Sequence, residues 1–349
     1  MWTLGRRMAL SFLVSIIILV VPWMVPVARS AVTHAKEGPT TIYTIVRRTT
    51  VTNTGNRAMH QLLLETPLLN MVGLNGTIIV TSVSSRPVSL TSDQYGNTMV
   101  VFRIANLPAH KRLVVTFRYQ AMVRKVHFNL HPAGSRYHIN SLYIRYTSPA
   151  YGHNEGIDTN APAIVSLDRR LLGKTTNPSI KAHILFRWIT NHIRYNYALK
   201  PSGTALATLR QRTGICTDFA TLYVSMLRTA HIPARLVGGY LLDSATATNA
   251  FHDWVQFYLP GIGWVSADPT WGSGYFGSIS DTYHIPLYFG LEPNITIYGQ
   301  RAGSRAITVR SSFTVSQQTH PPRLLTAYDW TRLPFEPIWA TRLSEWMLN

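Results

Sequence analysis

The chain of 349 residues contains one cysteine, Cys216, within Arg212-Thr213-Gly214-Ile215-Cys216-Thr217-Asp218-Phe219-Ala220. The Gly-x-Cys turn leads into an apolar stripe. From Phe219, the residues Leu222, Tyr223, Met226 and Leu227 recur at helical spacing, and Ile215 extends the stripe backward. Cys216 therefore falls at or near a helix N-terminus, where the helix dipole and unpaired N–H groups favour a thiolate and can donate to an oxyanion. Nucleophilic thiol chemistry also needs an imidazole to pair with the sulfur and a third group to orient that imidazole. His252 follows 36 residues after the cysteine, at the start of a strand-like run. Asp268 follows 16 residues later, at the end of the next such run. Each has a plainer reading when taken alone: a small core thiol, one of thirteen histidines, and the first residue of an Asp-Pro-Thr turn.

The two runs Phe251–Leu259 and Trp264–Ala267 form a hairpin around Pro260-Gly261-Ile262-Gly263. If the connection is the five residues Leu259–Gly263, Tyr258 pairs with Trp264 and Asp268 lies opposite Trp254. Side chains alternate faces along a strand, so His252, Trp254, Gln256 and Tyr258 share one face. Asp268 is then on that face, diagonal to His252 and within reach of it. A four-residue connection would put Asp268 on the other face, so the reading depends on register.

Other elements must hold this hairpin against the cysteine helix. Asn160 with Pro162 starts one helix and Gly173 stops it; Asn177-Pro178 starts another, with Ala182, Leu185, Phe186, Ile189 and Ile193 as its apolar face. A short helix covers roughly Thr204–Gln211, and the Cys216 helix ends near His231-Ile232-Pro233. A strand follows over Ala234–Leu242, with further strand-like runs at Ile295–Tyr298 and Ala306–Val315. Residues 41–125 read as β. Thr41–Val46 continuing through Val51-Thr52, then Thr77–Val83, Thr98–Ile104 and Arg112–Tyr119 are separated by polar turns, which suggests an antiparallel sandwich of immunoglobulin-like type. Residues 126–160 read as a connection. Within it, His153-Asn154-Glu155-Gly156-Ile157-Asp158 offers ligand types but no fixed ligand spacing, so it reads as a solvated loop. From Pro321-Pro322 onward a tail carries Trp330, Phe335, Trp339 and Trp346 without a clean period. The expected division is 1–30 export segment, 31–145 β-rich domain, 146–318 catalytic domain and 319–349 tail.

The net charge is +18, from 33 bases against 15 acids, and the bases are scattered. No basic run suggests nucleic acid; a distributed positive surface fits an anionic cell-envelope polymer, or equally a general solubility bias. A single cysteine excludes an internal disulfide framework and a CxxC metal site. No acidic cluster resembles a calcium site, and no His-x-x-x-His spacing supports a metal hydrolase, so no cofactor is expected. Arg6 and Arg7 precede an uncharged apolar run from Met8 to Ala28. It reads as a signal peptide, with Ala28-Arg29-Ser30 or Thr33-His34-Ala35 as cleavage sites, or as an uncleaved anchor obeying the positive-inside rule. Both readings put the rest of the chain outside the cytoplasm, secreted or membrane-anchored.

Four blocks in order carry a family resemblance: Gly214-Ile215-Cys216-Thr217-Asp218-Phe219-Ala220; Arg228-Thr229-Ala230-His231-Ile232-Pro233-Ala234-Arg235-Leu236-Val237-Gly238-Gly239-Tyr240; His252-Asp253-Trp254-Val255; and Gly263-Trp264-Val265-Ser266-Ala267-Asp268-Pro269-Thr270. Together they resemble the bacterial transglutaminase-like superfamily over about residues 160–275. The resemblance implies an α+β fold with a papain-like transglutaminase core, helices packed on an antiparallel sheet, preceded by a β-sandwich-like N-terminal domain. It implies Cys216 as nucleophile, His252 as general base and acid, and Asp268 as the orienting carboxylate, acting on a protein or peptide substrate. Two positions depart from the family pattern. Asp253 stands where alanine is common, and His231 where glycine often precedes Ile-Pro.

Overall fold

The computed structural model describes residues 34–73, 75–131, 133–134, 136–152, 155–242, 249–299, 306–318 and 325–334. The apolar run at 8–28 and most of the C-terminal tail lie outside the described residues, as do His153 and Asn154. The N-terminal half runs β1 (Ala35–Asn53), β2 (Met59–Pro67), β3 (Gly76–Val83), β4 (Ser89–Ser92), β5 (Thr98–Leu107) and β6 (Arg112–Phe128). Helices follow: α1 (Ser141–Thr147), α2 (Pro162–Leu172), α3 (Pro178–His192), then the short β7 (Arg194–Tyr195), α4 (Ala205–Gln211), β8 (Thr213–Gly214) and α5 (Cys216–Thr229). The chain then gives β9 (Ala234–Leu242), β10 (Asn249–Leu259), β11 (Gly263–Ala267), β12 (Ser278–Ile279), β13 (His284–Phe289), β14 (Thr296–Tyr298) and β15 (Ile307–Gln317).

The first half forms two antiparallel sheets. One has the order β12-β6-β1-β15 with β3 also on β6, and the other the order β14-β2-β5-β4. In β1, alternate residues from Tyr43 to Asn53 are buried, the period of a strand with one face on a core. Those residues meet Leu62, Leu64, Val100, Phe102, Phe117 and Tyr119 in the sandwich interior. β2 was not expected from the sequence: Leu62-Leu63-Leu64 does not alternate, and Gln61 sits at φ 53°, interrupting the strand pattern. β14 and β15 follow β13 in the chain but return to pair with β2 and β1. Residues 325–334 also lie on this layer, with the Tyr328 N–H donating to the Val80 carbonyl.

The second half is α+β. α5 lies on the antiparallel sheet β11-β10-β9-β13, flanked by α2, α3 and α4. Pro162 and Pro178 open α2 and α3 at positions where a missing N–H costs nothing, and the Asn177 side chain accepts from the Ser179 and Ile180 N–H groups. α5 is buried almost all round, with Phe219, Leu222, Tyr223, Met226 and Leu227 in the core. The two halves share their cores. Val126 and Phe128 at the end of β6 join the helical core, and Tyr240, Ile285, Leu287 and Tyr288 of the second sheet join the sandwich core.

Candidate active site

Cys216 is the first residue of α5 and is 8% exposed. A small frame holds it there. β7 and β8 pair in parallel, Arg194 with Thr213 and Tyr195 with Gly214, so the chain before the cysteine is clamped to the end of α3. Asp218, one turn into α5, accepts from the Ile215 N–H at 2.9 Å and, with its other oxygen, from the Ser202 N–H and hydroxyl at 2.7 and 2.6 Å. A carboxylate in the first turn satisfies orphan donors and suits the positive end of the helix. Gly214 is required at its position: a Cβ there would stand 2.5 Å from the Asp218 Cβ.

The hairpin has the register in which Tyr258 pairs with Trp264, so Leu259 and Gly263 close a three-residue turn and Asp268 comes diagonal to His252. His252 is 5% exposed and Asp268 is fully buried. Their Nε2 and Oδ2 atoms stand 2.6 Å apart. The other oxygen of Asp268, Oδ1, accepts from the Thr270 N–H at 2.8 Å. The Asp-Pro-Thr turn and the histidine contact are therefore made by the two oxygens of one carboxylate. His252 pairs across the sheet with Gly239, where a Cβ would lie 2.4 Å from the Trp254 indole; glycine lets that ring sit against the strand and stack beside His252. Burial alone would push the His252 imidazole down. The adjacent Asp268 carboxylate, its hydrogen bond, and a hydrogen bond with Cys216 instead raise it well above the usual histidine range. Burial would raise Asp268, but His252 and His284 hold it well below the usual carboxylate range. The structure thus brings Cys216, His252 and Asp268 together. Since Nε2 is committed to Asp268, Nδ1 is the nitrogen left to serve the thiol.

Three residues of this site were not anticipated. His284, on β13, is fully buried and puts Nε2 3.1 Å from the same Asp268 Oδ2. Its Nδ1 lies 2.8 and 3.0 Å from the two oxygens of Asp281, which also accepts from the Tyr275 hydroxyl at 2.7 Å. Tyr195 is the third: its phenol lies beside Cys216, and partial burial with the nearby thiol pushes it up to about 12. Only the pairing of β7 with β8 brings this tyrosine to the cysteine, and no sequence spacing signals it. The departure at Asp253 also has a use. Its Oδ2 accepts from the Thr217 hydroxyl at 2.6 Å, tying β10 to the first turn of α5, and burial raises its carboxyl.

His252, Asp268 and His284 are the one group among the described residues whose ligand-type atoms converge, all within 4.8 Å. The 2.6 Å contact is a hydrogen bond. Two ligands of one zinc ion, each about 2.0–2.2 Å from the metal in tetrahedral geometry, would stand farther apart. Glu155 and Asp158 hold backbone instead, accepting from the N–H groups of Leu291 and Leu206.

Residues 165–269 match the family profile of the transglutaminase-like superfamily. A protein-glutamine gamma-glutamyltransferase of Pseudomonas aeruginosa is 33% identical over 94 residues, 23% of this chain and 14% of that protein. An uncharacterized protein of Haemophilus influenzae is 28% identical over 123 residues, 28% of this chain and 33% of its own length. The chain therefore spans a third or less of either relative. A solved structure from Cytophaga hutchinsonii, described as a candidate cysteine protease, shares the fold: the TM-score is 0.54 at 15% identity, covering 86% of this chain and 97% of that one. Over residues 165–269 the sequence carries a transglutaminase-like domain, and the chain shares its fold with the Cytophaga structure.

Proposed function

We propose that the protein is an exported thiol acyltransferase or amidase in which Cys216, His252 and Asp268 act as a catalytic triad. The observation that carries this reading is the buried line from the Cys216 thiol through His252 to Asp268, at the N-terminus of a core helix. The Cys216 thiolate, paired with His252, attacks an amide carbonyl. The tetrahedral oxyanion is met by the Cys216 N–H, which as the first residue of α5 has no intrahelical partner, and by the Tyr195 hydroxyl beside it. His252 then protonates the leaving amine, leaving a thioester. Water or a second amine resolves the thioester, with His252 now acting as base. Asp268 keeps the imidazole turned so that Nδ1 faces sulfur. The Pseudomonas relative's name makes a glutamine carboxamide in a protein or peptide the first substrate to try.

Export rests on Arg6, Arg7 and the apolar run at Met8–Ala28. Among the described residues no helix is long and apolar enough to cross a membrane. The scattered positive charge is in keeping with work at an anionic cell envelope.

The test is made with a glutamine-containing protein and a labelled primary amine. Release of ammonia with the amine incorporated identifies a cross-linking enzyme, and ammonia without incorporation an amidase. Cleavage of the chain identifies a peptidase. All three must vanish in Cys216→Ala at unchanged fold. Activity that survives Cys216→Ala would sink the reading.

A further inference from the structure

We propose that His284 is a positioning residue of this site, a second imidazole clamped between Asp268 and Asp281 that fixes Asp268 and moderates its hold on His252. The proposal rests on the triad reading above. Its basis is geometric. One oxygen, Oδ2 of Asp268, faces two imidazole nitrogens, Nε2 of His252 at 2.6 Å and Nε2 of His284 at 3.1 Å. The two imidazoles hold Asp268 well below the usual carboxylate range, and an ionised Oδ2 can only accept, so each Nε2 carries its proton. His284 also contacts both Asp281 oxygens through Nδ1, at 2.8 and 3.0 Å. Asp281 accepts from the N–H groups of Tyr283 and His284 and from the Tyr275 hydroxyl, and these bonds with His284 hold its carboxyl below the usual range, so it too is ionised and Nδ1 is the donor. Protons on both ring nitrogens make His284 an imidazolium. Burial alone would disfavour that charge, and the two carboxylates outweigh it.

This arrangement bears on the chemistry. A lone buried Asp268 would bind the His252 imidazolium tightly and slow the release of its proton to the leaving amine. The positive His284 draws on the same carboxylate oxygen, and its ring centroid lies 5.4 Å from that of His252, close enough for one positive charge to disfavour another. The groups facing His284 are Asp268 and Tyr275 from the segment after β11, His252 from β10 with the Cys216 thiol beyond it, and Asp281 from the turn before β13. Trp254 and Trp271 lie edge-on to the His284 ring, which is fully buried.

Because the chain has one cysteine, iodoacetamide labelling of the full-length protein reports on Cys216 alone. Its rate against pH has an upper inflection, where His252 loses its proton. Asp281→Asn is the informative variant. It keeps the shape of the clamp, and its amide can donate to Nδ1, leaving His284 neutral with Nε2–H still on Asp268. His284→Gln removes the ring and its charge together. In both, the upper inflection is expected to rise by about one pH unit, as loss of a like charge beside His252 requires. A residue that only supports the fold would lower the melting temperature and leave the inflection in place. An upper inflection unmoved in both variants overturns the proposal while leaving the triad intact. A wild-type profile with no enhanced labelling at mildly acidic pH, or one unchanged by His252→Asn, overturns the triad itself.

Discussion

At the scale of single residues, the site is economical with carboxylate oxygens. Asp268 uses Oδ1 to close its own turn and Oδ2 to face two histidines, and Asp218 uses one oxygen for the helix start and the other for the Ser202 loop. Tyr195 is the residue whose removal tests the oxyanion reading most directly. Tyr195→Phe deletes one hydroxyl and keeps the ring packed near Tyr197 and Phe219. The expected loss in kcat is on the order of 10²-fold, the usual cost of one oxyanion donor, with KM little changed. Full kcat in Tyr195→Phe would leave the backbone N–H as the donor. The contrast between Cys216 and Tyr195 explains what could be read from the chain alone. Cys216, His252 and Asp268 each sit beside a local signal: a Gly-x-Cys helix start, a strand beginning, a strand end. Tyr195 and His284 have none. One reaches the site through a two-residue parallel pairing, and the other through contacts of β13 that no spacing encodes.

At the scale of elements, the four helices from residue 162 to 229 and the hairpin were legible because their ends carry local chemistry: proline at the first position of α2 and α3, the Asn177 cap of α3, and glycine before Cys216 and in the hairpin turn. The sequence left two hairpin registers open, and the structure takes the one with Tyr258 opposite Trp264, the step on which the histidine–aspartate pairing depends. α1 was not legible, being seven residues without an alternative to its aromatic and polar surroundings, and neither was the edge strand β13. α2 carries a further consequence. Asp168 is 3% exposed, neither of its carboxylate oxygens has a partner, and burial pushes its carboxyl up to about 8. An unfolded aspartate titrates near 3.9. Below about pH 4 both states are protonated and ionisation adds no cost. Between about pH 4 and 8 the unfolded chain gives up its proton while the folded one keeps it, so stability falls as pH rises. Asp168→Asn removes this dependence. It is expected to stabilise the protein by roughly 2–4 kcal/mol at pH 8 and by nothing measurable at pH 4. Melting curves of both proteins at the two pH values decide the matter, and a gain of equal size at both would refute it.

At the scale of the whole molecule, chain order and spatial order part company. The sheet bearing His252 and His284 is complete by Phe289, yet the chain continues into β14 and β15, which return to the N-terminal sandwich. β15 pairs with β1 over eleven positions, from Tyr43–Gln317 to Asn53–Ile307, and forms the outer strand of that sheet. Without β15, β1 would present a long unpaired edge with alternating apolar residues, a form prone to sticking. The sandwich core also takes in Tyr240, Ile285, Leu287 and Tyr288, which belong to the sheet bearing His252 and His284. Ordinary interdomain contacts are polar and permit independent melting. Here each layer is finished by the other, so unfolding one exposes the core of both. Calorimetry of the full chain is therefore expected to show one cooperative transition, with calorimetric and van't Hoff enthalpies in agreement. A fragment ending at residue 295 should lose the melting transition, or much of its height, although it retains Cys216, His252, Asp268 and His284. Two resolved transitions in the full chain, or a fragment that melts as the parent does, would show that the layers fold independently and that the long return of β15 serves some other end.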